Sequence, residues 1–280
     1  MLTPGALTTL LHAHGIRLTK RLGQHHLIDP RRIDRLIAES GIRPHDTVVE
    51  IGAGLGAITE SLAQRAGRVI AVEVDRRICQ LLAERLAGAP NVELVCDDIL
   101  TFPWARTAGA VVIGAIPYHI TSPILVTLFH HRRFVRHAVL ILQDDVVDRL
   151  IAKPGTKAYG RLSVLVQCGW QVKRLFRIPP SAFFPQPSVE SGCLELIPRT
   201  VSPVTEADES GFFELVKTAF AQRRKTLAHA LVVFGHHRIT KRQAEDLLNR
   251  LGLPPRVRAE QLSIETFGRL WAAVRQPSVQ

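Results

Sequence analysis

Cysteine is scarce in this chain of 280 residues, with only Cys79, Cys96, Cys168 and Cys193 present. None stands in a C-x-x-C pair, so neither a zinc site nor a disulfide framework is indicated, and four reduced thiols in the core are expected. Long apolar runs are lacking as well. No stretch reaches the roughly 18 residues of a membrane span, and the N-terminus carries no signal-peptide core, which points to the cytoplasm. No basic amphipathic helix or lipidation motif suggests a membrane surface either. The chain is also short of acid, with 25 Asp and Glu against 36 Lys and Arg, a net charge of +11. That balance favours a polyanionic partner, and nucleic acid is the commonest one. Three histidine pairs, His25-His26, His130-His131 and His236-His237, have no further ligands at metal-binding spacing around them. No metal is expected.

What is present begins with Thr47-Val48-Val49-Glu50-Ile51-Gly52-Ala53-Gly54-Leu55-Gly56, a β-branched run that ends in three glycines on alternate positions. A strand that turns sharply into a helix needs glycine where a Cβ would clash, and glycine lets a ligand approach the backbone. The following run, Arg68-Val69-Ile70-Ala71-Val72-Glu73-Val74-Asp75, reads as a second buried strand ending in acids. An acid about 20 residues beyond the glycines can accept both hydroxyl hydrogens of a ribose. The ligand therefore carries a ribose, and the glycines leave NAD and S-adenosylmethionine both open.

Strands are expected near 47–51, 68–74, 92–96, 110–115 and 138–143, with helices at Ala57–Ala66, Arg76–Ala87 and Ser122–His130 between them. An earlier helix opens with Asp29 as cap and Pro30 at its first position. Such alternation predicts a doubly wound sheet, parallel over these strands, with its ligand beyond their carboxyl ends. Gly52, Gly54, Glu73, Asp98 and Gly114–Tyr118 all fall at those ends. Two further strands near 164–177 and 191–197 flank a proline-rich turn and suggest an antiparallel edge hairpin. Pro198–Pro203 reads as a linker. Glu214–Leu231, Thr240–Leu251 and Ser263–Val274 read as amphipathic helices. The expected organisation is a domain over 1–199 with a basic N-terminal segment, then a small helical domain over 204–280.

Several motifs occur in one order: Leu22-Gly23-Gln24-His25-His26-Leu27, the glycine stretch, Glu73-Val74-Asp75 and Asp97-Asp98-Ile99-Leu100. Gly114-Ala115-Ile116-Pro117-Tyr118, Tyr159-Gly160-Arg161-Leu162-Ser163-Val164 and the turn Pro179–Pro187 follow. Gln222-Arg223-Arg224-Lys225-Thr226-Leu227 and Arg258-Ala259-Glu260-Gln261-Leu262-Ser263 complete the set. From about Leu22 to Leu270 the chain resembles the ribosomal RNA adenine N6,N6-dimethyltransferases, the small-subunit enzymes above all. The resemblance implies a Rossmann-like class I methyltransferase sheet, mostly parallel with an antiparallel edge hairpin, and a small C-terminal α-helical domain.

It also implies S-adenosyl-L-methionine as cofactor and N6 of adenosines near the 3′ end of small-subunit rRNA as target, in an assembling subunit and as a monomer. By resemblance His25 and Leu27 close over the cofactor, Gly52 and Gly54 lie against it, Glu73 takes the ribose and Asp98 the adenine amine. Ala115, Pro117, Tyr118 and Phe183 would form the catalytic set, with the carbonyl at 115 aimed at N6 and two aromatic walls for the flipped base. Arg223, Arg224 and Lys225 would hold phosphates, with Arg17, Lys20, Arg21, Arg132 and Arg133 as further candidates. Position 115 departs from the family, where Asn is usual, and His25 and His26 stand where Asn and Phe are common. A rival reading is therefore an rRNA-binding assembly factor without turnover. An antibiotic-resistance methylase with another rRNA target is a second, and an NAD-dependent dehydrogenase, disfavoured by the hairpin edge, a third.

Overall fold

A computed structural model describes residues 4–16, 25–222, 224–234 and 239–275. They divide into two units, Met1–Val147 with Gln171–Pro198, and Asp148–Trp170 with Arg199–Gln280. In chain order the elements are α1 (Pro4–Ala13), β1 (His26–Leu27), α2 (Pro30–Glu39), β2 (Thr47–Ile51), α3 (Ala57–Ala63), β3 (Arg68–Val72), α4 (Arg76–Arg85) and β4 (Val92–Val95). Next come β5 (Ala110–Ala115), α5 (Thr121–His130), β6 (Val135–Gln143), α6 (Asp144–Leu150), α7 (Arg161–Gly169), β7 (Trp170–Ile178), β8 (Phe183–Phe184) and β9 (Ser191–Pro198). The remaining helices are α8 (Glu209–Ala221), α9 (Leu227–Phe234), α10 (Lys241–Arg250) and α11 (Ile264–Arg275).

The first unit is built on a sheet of seven strands in the order β4-β3-β2-β5-β6-β9-β7. β4, β3, β2, β5 and β6 run parallel, and β9 pairs antiparallel with β6, Ala138 opposite Leu196 and Gln143 opposite Ser191. Every residue of β2 and β3 after the first is buried, as strands covered on both faces require. The strand order reverses beside β2, which puts the switch point at the glycine stretch. Gly114 permits the close approach of β5 to β2: a Cβ there would meet the Ile51 carbonyl oxygen at 2.8 Å. α2 starts as its sequence dictates, with the Asp29 carboxylate accepting from the Arg31 and Arg32 amides and Pro30 at the first helical position.

Residues 164–177 are not one strand. Arg161–Gly169 is helix α7 and only Trp170–Ile178 is β7, next to β9 at the sheet edge. α7 buries Ser163, Val164, Leu165, Val166 and Cys168, and so short an apolar run has no periodicity that separates helix from strand. Its start is set by Ser163, whose hydroxyl accepts from the Gly160 amide and donates to the Arg149 carbonyl. The domain division shifts accordingly. Residues 148–170, expected within the first domain, belong to the second unit, where Tyr159 is fully buried and its hydroxyl donates to the Leu262 carbonyl at 2.9 Å.

In that second unit Glu214–Leu231 proves to be parts of two helices, α8 ending at Ala221 and α9 beginning at Leu227. α10 carries a full capping box: the Thr240 hydroxyl accepts from the Gln243 amide and the Gln243 side chain accepts from the Thr240 amide. Among the described residues no helix is long and apolar enough to cross a membrane.

Candidate active site

The carboxyl ends of β2, β3 and β5 open on a cavity of about 330 Å³ within the first unit. Its wall includes His25, His26, Leu27, Gly52, Gly54, Glu73, Asp98, Ala115 and Pro117. Every sequence-assigned cofactor residue is therefore on one surface. The glycine turn works as its spacing implies: Gly52, Gly54 and Gly56 all have positive φ, at 72°, 55° and 83°. At Gly54 a side chain is excluded twice over, since a Cβ would also lie 2.4 Å from Nδ1 of His26, whose ring covers the turn.

Glu73 is 8% exposed and ties the second strand to the turn. One carboxylate oxygen accepts from the Gly54 amide and the other from the Asp75 amide, both at 2.9 Å. Burial raises its pKa, opposed by those two amides. A carboxylate held this way keeps lone pairs for the two hydroxyls of a ribose. Asp98 accepts from the Leu100 amide at 2.9 Å and so caps the turn at Ile99–Thr101, while also lining the cavity. The capping and ligand-binding readings of this acid are compatible.

A two-residue strand pair closes the wall. β1 runs antiparallel to β8, with His26 opposite Phe184 and Leu27 opposite Phe183. The Ile28 and Asp29 amides both donate to the Ala182 carbonyl. His25 Nδ1 lies 2.7 Å from the Pro185 carbonyl, and its ring is 5.6 Å from that of Tyr118. Tyr118 itself stands beside the cavity, its hydroxyl 3.2 Å from Ser191 Oγ. Phe183 does not join it. That ring is 5% exposed and sits in the core with Leu27, Ile178 and Ala182. The ring set beside Tyr118 is His25, which the sequence assigned to the cofactor.

Three features escaped the sequence reading. Glu50 is 1% exposed with no hydrogen-bond partner for either carboxylate oxygen, and desolvation pushes its pKa up to about 8. The signal was visible as a single acid in an otherwise apolar strand. His26 is the second: its Nε2 is buried and unpartnered, and desolvation lowers its pKa to about 4, so the ring is neutral. The third is a correction. Cys79 and Cys96 form a disulfide rather than two reduced thiols, with Cα atoms 6.1 Å apart, while Cys168 and Cys193 are buried outside it. Of the basic residues assigned to RNA, Arg224, Lys225, Arg132 and Arg133 are described, the first two exposed, whereas Arg223, Arg17, Lys20 and Arg21 lie outside the described residues.

The sheet order, the glycine turn and the acids after β3 and β4 together define a class I S-adenosylmethionine-dependent methyltransferase. Solved structures agree. The chain matches a dimethyladenosine transferase from Plasmodium falciparum with a TM-score of 0.75 at 28% identity, covering 88% of this chain and 96% of that one. It matches the 23S rRNA methyltransferase ErmE with a TM-score of 0.66 at 27% identity, covering 89% and 99%.

The family model for ribosomal RNA adenine dimethylase matches residues 15–272, and the chain belongs to that family. The relatives named Ribosomal RNA small subunit methyltransferase A include one from Pelotomaculum thermopropionicum, 40% identical over 281 residues, 96% of this chain and 95% of the relative. Another, from Geobacillus thermodenitrificans, is 37% identical over 277 residues, 96% and 94% of the two chains.

Proposed function

We propose that this chain transfers methyl groups from S-adenosylmethionine to N6 of adenosines near the 3′ end of small-subunit rRNA, two per adenosine, in an assembling subunit. It does so as a monomer in the cytoplasm. The observation that carries this reading is one cavity joining the glycine turn, Glu73 and Asp98 to Ala115 and Pro117, the residue before Tyr118. Near-full-length identity to relatives named for the small subunit favours that substrate over the large-subunit RNA named for ErmE.

The cavity suits the cofactor: the positive-φ glycines leave backbone where a Cβ would intrude, and buried Glu73 and the more open Asp98 face hydroxyl and amine donors. S-adenosylmethionine brings the activated methyl group, so the chain is left with placement. Gly52 and Gly54 border the methionine part, Glu73 holds the ribose and Asp98 the adenine amine. His25 and Leu27 close the strap over them. Tyr118 offers its face to the flipped base, and Pro117 fixes the backbone so that the Ala115 carbonyl addresses N6. The exocyclic nitrogen is a poor nucleophile because its lone pair is delocalised. Accepting from N6–H and aligning it localises that pair, which makes orientation and electrostatics the main catalytic terms. Arg223, Arg224 and Lys225 hold phosphates of the RNA.

The test is labelled methyl transfer to unmethylated small subunits, with Ala115→Asn in parallel. Incorporation near two methyls per target adenosine by the native protein is expected. No incorporation by the native protein, with activity appearing only in the variant, would replace the enzyme reading with an RNA-binding assembly factor.

A further inference from the structure

Ala115 carries no polar side-chain atom, and the Tyr118 hydroxyl faces Ser191. A different group reaches the same edge of the cavity. His25 lines the wall with Ala115 and Pro117, and its ring lies 5.6 Å from that of Tyr118 at a tilt of 32°. A base cannot slide between rings that close, because each stacked layer takes about 3.4 Å. A base resting on Tyr118 would therefore meet His25 at its edge.

The chemistry of that edge is set by the backbone. His25 Nδ1 is 2.7 Å from the Pro185 carbonyl, and a carbonyl oxygen only accepts, so Nδ1 carries the hydrogen. In the neutral ring this leaves Nε2, on the edge away from Pro185, as an acceptor. The strand pair of His26 with Phe184 and Leu27 with Phe183 fixes the backbone next to His25, and turning the ring over would break the bond to Pro185.

We infer that His25 is a specificity-determining residue: its Nε2 accepts a hydrogen bond from the 6-amino group of the target adenine and repels a 6-oxo purine. This rests on the methyltransferase reading above and extends His25 beyond cofactor closure. A site built to accept from an N–H rejects the analogue lacking it strongly, because a lone pair then faces a lone pair.

The experiment compares binding of two RNA fragments from the 3′ end of small-subunit rRNA, one with adenosine and one with inosine at every single-stranded adenosine position. The native protein should bind the adenosine RNA at least about tenfold more tightly. His25→Phe keeps a ring without nitrogen and should bring the ratio near one. His25→Asn, with an amide oxygen, should restore it. His25→Arg, which only donates, should reverse the preference and stands in if the Phe variant does not fold. In methyl transfer to small subunits, His25→Phe should lower kcat about ten- to a hundredfold with little change in KM. An unaltered adenosine-to-inosine ratio in the Phe or Arg variant would overturn the inference, as would a native ratio near one. Failure of the underlying reading looks different: the native protein would then transfer no methyl to small subunits at all.

Discussion

Replacing Glu50 with Gln should change how stability depends on pH. Glu50 lies in β2, 1% exposed, with no partner for its carboxylate oxygens. Desolvation, opposed by the nearby Thr59 hydroxyl and aided by the Glu73 charge, moves its pKa from 4.5 to about 8. The native state therefore retains a proton that the unfolded chain releases near pH 4.5. The group's contribution is complete below that value and is lost as pH rises towards 8, the reverse of a salt-bridged acid. Each pH unit in the window costs about 1.4 kcal/mol, and the whole window at most about 5 kcal/mol, a large part of a domain's stability. Gln keeps the shape and does not titrate. In urea melts, the stability gap in favour of Glu50→Gln should widen by about 3 kcal/mol between roughly pH 5.5 and pH 8. Groups common to both proteins cancel in the difference. A gap constant to within about 0.5 kcal/mol would refute the reasoning, because Glu50 would then ionise normally in the fold.

Glu73→Gln turns one of the two oxygens, which accept separately from the Gly54 and Asp75 amides, into a donating amide nitrogen, so the dissociation constant for S-adenosylmethionine should rise about ten- to a hundredfold by calorimetry. An unchanged constant would separate this acid from the ribose. Tyr118→Phe should keep kcat/KM within about threefold, whereas Tyr118→Ala, losing about 1–3 kcal/mol of stacking, should cost about five- to a hundredfold. Equal losses would assign the effect to the hydroxyl and Ser191. Tyr159→Phe strands the Leu262 carbonyl and should destabilise the second unit by about 1–3 kcal/mol in urea melts. Replacing Arg224 and Lys225 with Ala should lower the slope of log affinity against log salt by about one to two for rRNA binding. An unaltered slope would remove both from the phosphate contacts.

The sheet was legible because its strands are buried on both faces: β3 and β5 show as apolar runs, and β2 as one broken only by Glu50, each leading into glycine or acid. Such runs lose their meaning when short and isolated. Within residues 161–169 the run Val164-Leu165-Val166 has no period of its own, and Ser163, bridging the Gly160 amide and the Arg149 carbonyl, marks the start of a helix. The cofactor side of the site was legible for a similar reason, since Gly52, Glu73 and Asp98 all fall at strand ends that topology gathers. The base side depends on which ring a loop presents. Phe183 is on β8 and His25 just precedes β1, the strand that pairs with it, and the register that buries Phe183 opposite Leu27 is a property of packing that no local pattern encodes. Cys79, on α4, and Cys96, just past β4, are likewise 17 residues apart in sequence and meet only because α4 packs against β4.

One short strap thus serves two chemistries. Successive residues of a strand face opposite sides, and here His26 covers the glycine turn, while Leu27 anchors in the core and His25 turns to Pro185 and Tyr118. A slip of one residue in the β1–β8 register would exchange these faces, taking the ring from Gly54 and the acceptor from Tyr118 together. The cofactor turn and the base edge therefore hold their geometry from a common source. Methyl transfer to a weakly nucleophilic amine depends on alignment more than on a strong base. A strap that sets both partners at once supplies that alignment without any group having to ionise.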